Sequence, residues 1–586
     1  MACKCGGYYY TLNAKASFDR DLTRTRKFLL RNVSVVRMFT TGFFRSKWRS
    51  IAGKRRILSM DAREKSRSTI LESSKDKRVP IFVMMPVDIF TLDASGCPRI
   101  RKLKALTVSL KALKLAGVHG IGVEVWWGIV ERFSPLDYDW SLYEEIFKLV
   151  SDSGLKLHVA LSFHSNIHSS NGKGRASLPL WILEIGDVNK DIYYRDQHGF
   201  SNNDYLTLGV DHVPLLSGRT ALQCYEDFML SFVNKFESFI GSVIEEISIG
   251  LGPSGELRYP AHPFGDGRWK FPGIGEFQCY DKYMMEDLKM AACREGKPQW
   301  GDKGPQNAGC YNSVPSGVPF FEEGKESFLS DYGRFFLEWY SGRLICHADA
   351  ILAKAAKILK KYQENEQTSV MLVAKIGGIY WWYQTLSHPA ELTAGYYNTA
   401  LRDGYDPVVS VLSRHGAALH IPCLEMMDSE IPPTYLCSPE GLLKQMQSVS
   451  KKRIVNLIGR NTMERLDKTG LWKIRSNCYN PQAEVRLFHD VEPYASSISP
   501  SYCKGAVIGT QIPSAKYQDP FPIRTAIIPY RGDGSITMAY PEVFSQLDPP
   551  SPEDPQLPRR RPMFRSLPTV SLTTVGTKFG ELNHSS

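Results

Sequence analysis

The chain reads as an α/β protein built on parallel strands with helical crossovers, and three observations predict it. From Pro80 onward, strand-like and helix-like segments alternate. Several strand candidates are unbroken runs of β-branched and large apolar residues, as expected of strands covered on both faces. The segments between them place apolar residues at helical spacing. In order, Pro80 to Val87 reads as the first strand, Leu103 to Ala116 as an amphipathic helix, and Gly120 to Trp127 as the second strand. Tyr143 to Ser153 is helical, Leu155 to Phe163 a strand, Ala221 to Ile240 a helix, and Ile247 to Gly250 a short strand. Tyr332 to Lys361 is a long helix, followed by strands Val370 to Ile376, Ala418 to Ile421 and Arg453 to Ile458. That makes seven strands.

At 586 residues, 43% of them hydrophobic and 23% charged, the chain can bury a large core, as one barrel with tails or as two to three smaller domains. The net charge of +11 is not spread evenly. Residues 1–60 hold 14 Lys and Arg against Asp19 and Asp21, leaving the rest at −1. A basic, Ser/Thr-containing, acid-poor N-terminus without an uninterrupted apolar run has the composition of an organelle transit peptide, so residues 1–75 are expected to direct the protein to the plastid (chloroplast stroma). Nothing after them resembles a nucleic-acid recognition module, so no nucleic acid is expected as a partner. No stretch approaches the roughly 18 apolar residues that span a bilayer, so no membrane partner is expected either. The 12 cysteines show no Cys-x-x-Cys and no paired His spacing, which points to neither a zinc site nor a disulfide framework.

Two stretches concentrate the chemistry. Gly250-Leu-Gly-Pro-Ser-Gly-Glu256-Leu-Arg-Tyr-Pro260 sets Glu256 at the end of a strand, where a parallel-strand fold collects its catalytic groups. Val455-Asn-Leu-Ile-Gly-Arg460-Asn461 is the second. With Phe271-Pro-Gly-Ile-Gly-Glu-Phe-Gln-Cys-Tyr-Asp-Lys282 between them, both closely resemble the plant β-amylases, inverting exo-hydrolases that release maltose from the non-reducing ends of α-1,4-glucans. The resemblance implies a (β/α)8 TIM barrel over residues 76–488. It stops near Phe488, where the family continues with a last strand and helix. The eighth strand is therefore not recognisable, and residues 489–586 read as a divergent Pro-rich tail, with Asp548-Pro-Pro-Ser-Pro-Glu-Asp-Pro555 and Arg559-Arg-Arg561. Thr525 to Ile528 and Ile536 to Tyr540 are the candidates to replace it; without one, the first and seventh strands keep open edges.

Inverting hydrolysis needs two carboxyl groups about 6.5 to 9.5 Å apart, one protonating the leaving oxygen and one activating water. By resemblance Glu256 is the proton donor and Arg460 occupies the position of the general base. A guanidinium, with a pKa above about 12 and no acceptor lone pair, cannot take a proton from water. Glu464 is the alternative base, four residues further on. The family's lid aspartate falls at Gly172, and Pro422, before Cys423-Leu-Glu425-Met426, replaces an inner-loop threonine. Other positions are better kept: His164, Lys375, Asn461 and Thr462 as substrate-binding residues, with Tyr380 standing for a histidine and Glu124 for an aspartate. The resemblance is closest to the catalytically deficient plastid members of the family. It implies a protein of starch breakdown with little or no hydrolytic activity, acting as a glucan-binding or regulatory protein, and an active maltose-releasing hydrolase is the alternative. Implied partners are an α-1,4-glucan or maltooligosaccharide, with other starch-degradation proteins as a further class. No metal or organic cofactor is implied, since acid/base hydrolysis requires none.

Overall fold

A computed structural model of the chain describes residues 80–86, 89–94, 96–166, 176–263, 266–364, 369–461, 468–478 and 523–529. All of them lie in the first of two compact units, Met1–Leu547. Eight parallel strands close on themselves: β1 (Ile81–Met84), β2 (Gly120–Trp126), β3 (Lys156–Ser162), β4 (Ile244–Ile249), β5 (Met371–Ile376), β6 (Ala418–Ile421), β7 (Leu457–Arg460) and β8 (Ile523–Pro529). Each pairs with its successor, and β8 pairs with β1 through Phe82 opposite Ile527. Helices α1 (Leu103–Leu115), α2 (Ser141–Asp152), α3 (Ala221–Lys235), α4 (Asp331–Gln363), α5 (Tyr405–His415), α6 (Pro439–Arg453) and α7 (Lys468–Cys478) fill the crossovers in turn. This is the (β/α)8 barrel.

Alternation along each strand sorts the residues. The outward set, including Val123, Val125, Leu157, Val159, Leu161 and Ile249, is buried against Leu110 and Leu113 of α1, Phe147 and Val150 of α2, and Phe228 and Phe232 of α3. Each such side chain contributes roughly 1.5 to 3 kcal/mol of transfer free energy. Inside the barrel, Phe82, Met84, Val373, Ala418 and Ile458 form a small separate apolar cluster. It plugs the lumen with side chains, so the barrel is a packed core rather than a pore.

Helix ends follow local chemistry. Thr220 and Gln223 make a capping box on α3, Ser330 accepts a hydrogen bond from Gly333 N on α4, and Ser438 accepts one from Gly441 N on α6.

Two expectations change. The strand expected at Arg453 to Ile458 begins only at Leu457, because α6 runs through Arg453, whose Nε is held by Asp406 Oδ1 at 3.0 Å. Ile454 then turns the chain with φ 56°. The closing strand, not recognisable in the sequence, is Ile523–Pro529, from within the segment read as a tail. It covers Thr525 to Ile528 and leaves no open edge at β1 or β7. Ile536 to Tyr540 lies outside the described residues.

Candidate functional site

The chain leaves β4 at Ile249 and doubles through Gly252–Gly255, where Ser254 (φ 58°) and Gly255 (φ 71°) take left-handed conformations. A Cβ on Gly252 would lie 2.4 Å from the Glu256 carbonyl oxygen, so only glycine permits the turn. The turn delivers Glu256 and Leu257 as a two-residue strand paired to β5, with Glu256 opposite Lys375. Tyr396 fixes the pair from behind, its hydroxyl donating to Leu257 O at 2.5 Å and accepting from Gly377 N at 2.8 Å.

Three cations converge on the buried Glu256 carboxylate. Arg258 Nε donates to Oε2 at 2.7 Å, while Arg460 Nη2 and Lys375 Nζ lie 3.4 and 3.5 Å from Oε1. Lys375 also donates to Ser254 O at 2.8 Å. Burial pushes the Glu256 carboxyl up, but Lys375, Arg258 and Arg460 together outweigh it and hold the group below the usual carboxylate range. Lys375 is brought down to about 8 by burial and the repulsion of Arg460, despite the pull of Glu256 and Glu124. His164 packs edge-on to Trp126 at 5.0 Å and is pushed down to about 3 by burial and Lys375, so it is a neutral imidazole at physiological pH.

Glu124, on β2, acts electrostatically on Lys375 and feels Arg460 in return, yet burial dominates and raises its carboxyl above the ordinary value. The structure therefore brings Glu256, Arg460, Lys375, Glu124 and His164 to one place. Asn461 follows Arg460 and is buried. Tyr380 sits in an aromatic cluster instead, 6.2 Å from Phe271 and 5.7 Å from Trp381. The stretch from Phe271 braces that cluster: Trp381 Nε1 donates to Gly273 O and Trp382 Nε1 to Pro272 O. At its far end Asp281 caps the helix Lys282–Arg294, a structural role. Gly172, Thr462 and Glu464 lie outside the described residues, as does the N-terminal segment read as a transit peptide.

The inner loop is tightly seated. Leu424 N donates to Arg460 O at 3.3 Å and Leu424 O accepts from Asn477 Nδ2 of α7 at 2.8 Å. Pro422 and Cys423 abut Gly378, where any Cβ would come within 2.8 Å of both, and Cys423 holds a φ of 70°. Cys423 is thus a packed thiol, in line with its sequence context.

Sequence reasoning missed two residues. Arg258 makes the shortest contact to Glu256, and its signal was its place two residues away in an intact motif. His420, opposite Lys375 on β6, is buried with neither ring nitrogen hydrogen-bonded among the described residues. Nothing in the sequence marked it.

A parallel eight-stranded barrel that gathers a buried carboxylate and cations at the carboxyl ends of its strands is a scaffold of the kind glycoside hydrolases use. The sequence profile of glycosyl hydrolase family 14 matches residues 82–485, and the chain belongs to that family. It is 71% identical over 492 residues to "Inactive beta-amylase 4, chloroplastic" of Arabidopsis thaliana, covering 83% of this chain and 93% of that protein. It is 46% identical over 389 residues to "Beta-amylase 1, chloroplastic" of the same plant, covering 66% of each chain. The crystal structure of the catalytic domain of β-amylase from Paenibacillus polymyxa superposes with a TM-score of 0.58 at 25% identity, covering 80% of this chain and 99% of that one.

Proposed function

We propose that the protein is a β-amylase homologue of α-1,4-glucan metabolism in the plastid, with little or no hydrolytic activity, that acts by holding a glucan or by regulating other starch-degradation proteins. One observation carries this reading: Arg460, which the resemblance puts at the position of the base, lies 3.4 Å from Glu256 and with Arg258 and Lys375 holds its carboxyl below the usual range. A glycosidase acid requires a raised pKa, and the shift here has the opposite sign. Both proton transfers of the inverting reaction are impaired. Loss of the base alone costs on the order of 10² to 10⁴ in rate. The hydrogen-bonding groups that the resemblance assigns to substrate, His164 and Lys375, remain beside Glu256. Similarity to chloroplastic relatives and the basic N-terminus support the plastid assignment.

The test is release of β-maltose from soluble starch by the purified protein. No release above the uncatalysed background is expected, and turnover matching an authentic β-amylase would overturn the reading. Calorimetry with a linear maltooligosaccharide then separates a glucan holder, which gives saturable heat, from a purely protein-directed regulator, which gives none.

A further inference from the structure

The exchange at position 460 does more than remove a base: it inverts the charge of the barrel mouth. Lys375, His420 and Arg460 come from three consecutive strands, β5, β6 and β7, with Lys375 and His420 directly opposed in register. All three are at least nine-tenths buried, at 8%, 4% and 7% exposure. Arg258, at 5%, adds a third full cation. The ionised carboxylate facing them is Glu256, which already takes Arg258 on one oxygen and Arg460 and Lys375 on the other. Glu124, the other carboxyl acting on Lys375, is pushed by burial toward its neutral form.

Donors are left over as well as charge. Arg460 Nε is buried with no hydrogen-bond acceptor among the described residues, and Arg460 reaches Glu256 only through a long 3.4 Å contact of Nη2. His420 has neither ring nitrogen hydrogen-bonded among the described residues, and burial keeps the ring neutral with one N–H left to donate; the ring lies 6.0 Å from that of His158, which is itself engaged by Glu246 at 2.7 Å. A buried donor without an acceptor costs about 1 to 3 kcal/mol, and more when it is charged. Repulsion between Lys375 and Arg460 adds to that cost.

We propose that Arg460, Lys375 and His420 form an anion site at the barrel mouth that takes a phosphoryl group, either as orthophosphate or as an ester on a sugar. A phosphoryl group supplies acceptor oxygens for the guanidinium Nε, the ammonium and the imidazole together, and a planar guanidinium with an ammonium beside it is the usual protein partner for that chemistry. The ester form rests on the glucan-holding reading above; the orthophosphate form does not.

The experiment is calorimetry on the full chain at pH 7 and constant ionic strength, using orthophosphate, glucose 1-phosphate, glucose 6-phosphate, glucose and maltotetraose as probes. At least one phosphorylated probe is expected to bind about 10-fold or more tightly than glucose. Arg460→Gln removes that preference, while Arg460→Lys, which keeps the charge, retains part of it and controls for folding. Equal affinity for glucose phosphates and glucose with no heat from orthophosphate overturns the site, as does a preference that survives in Arg460→Gln. Saturable heat from maltotetraose without a phosphate preference sinks the anion site and leaves the glucan reading standing. Phosphate binding without maltotetraose heat does the reverse. Orthophosphate matching the sugar esters identifies the free anion as the occupant, and binding of the esters alone identifies the sugar-borne group.

Discussion

Glu256 and Arg460, 204 positions apart, meet across 3.4 Å, and the sign of one side chain decides what the other can do. An isolated buried carboxyl would drift upward and make a serviceable acid. Here three cations reverse the drift, so the stabilisation from these pairs is fully present above the ordinary value of 4.5 and is lost as pH falls through the depressed folded value. The expected outcome is that Glu256→Gln destabilises the protein at pH 7 by about 1 to 3 kcal/mol and by progressively less below pH about 4.5. Denaturant midpoints of the two proteins across that range check it; a constant gap would mean that charge is not what Glu256 contributes. Arg460→Glu restores a candidate base and removes one cation from Glu256. Pro422 still stiffens the inner loop and Gly172 still stands where the family's lid aspartate falls, so maltose release is expected to stay on the order of 10²-fold or more below that of an authentic β-amylase. Full recovery from that one change would show that the two loops do not limit the reaction.

At the scale of elements, most strands and helices were legible because their periodicity is local. The strands Gly120–Trp126 and Lys156–Ser162 and the amphipathic helices α1, α2, α3 and α4 lie within a few residues of their expected bounds. The misread boundary lies at the end of α6, where Arg453, Ile454 and Val455 look like the start of a β-branched run. What decides the matter is tertiary: the Arg453–Asp406 pair extends the helix, and Ile454 is left as its cap at φ 56°. A β-branched residue in that region is strained, by roughly 1 to 2 kcal/mol. Its side chain is 68% exposed and contributes little packing in return. Ile454→Gly is accordingly expected to raise stability by about 1 kcal/mol, read as a higher denaturant midpoint with an unchanged slope. A lower midpoint would show that the exposed side chain carries packing worth more than the strain.

For the whole molecule, the parts that resisted reading are those set by closure. Glu256 and Arg460 were legible as a mismatched pair because each sits in a distinctive motif. Arg258 and His420 acquire meaning only once Glu256, β5 and β7 are brought around the same lumen. The eighth strand is the extreme case: a seven-residue run among Pro-rich sequence has no flanking helix period to announce it, and only the gap between β7 and β1 gives it a place. Registers Phe82 to Ile527 and Arg460 to Ile527 show that one residue of β8 bridges the first strand and the Arg460 end of the seventh. Without β8, both neighbours expose unpaired backbone donors and acceptors along an edge. A chain ending at residue 488 is therefore expected to lose cooperative unfolding and to bind a hydrophobic dye, whereas one ending at residue 547, the limit of the first compact unit, keeps a single cooperative transition. Thermal unfolding followed by near-ultraviolet circular dichroism, with dye fluorescence alongside, distinguishes them. Equal cooperativity in the two chains would mean that the barrel closes without Ile523–Pro529, and that Arg460 is held in place by β6 and the inner loop alone.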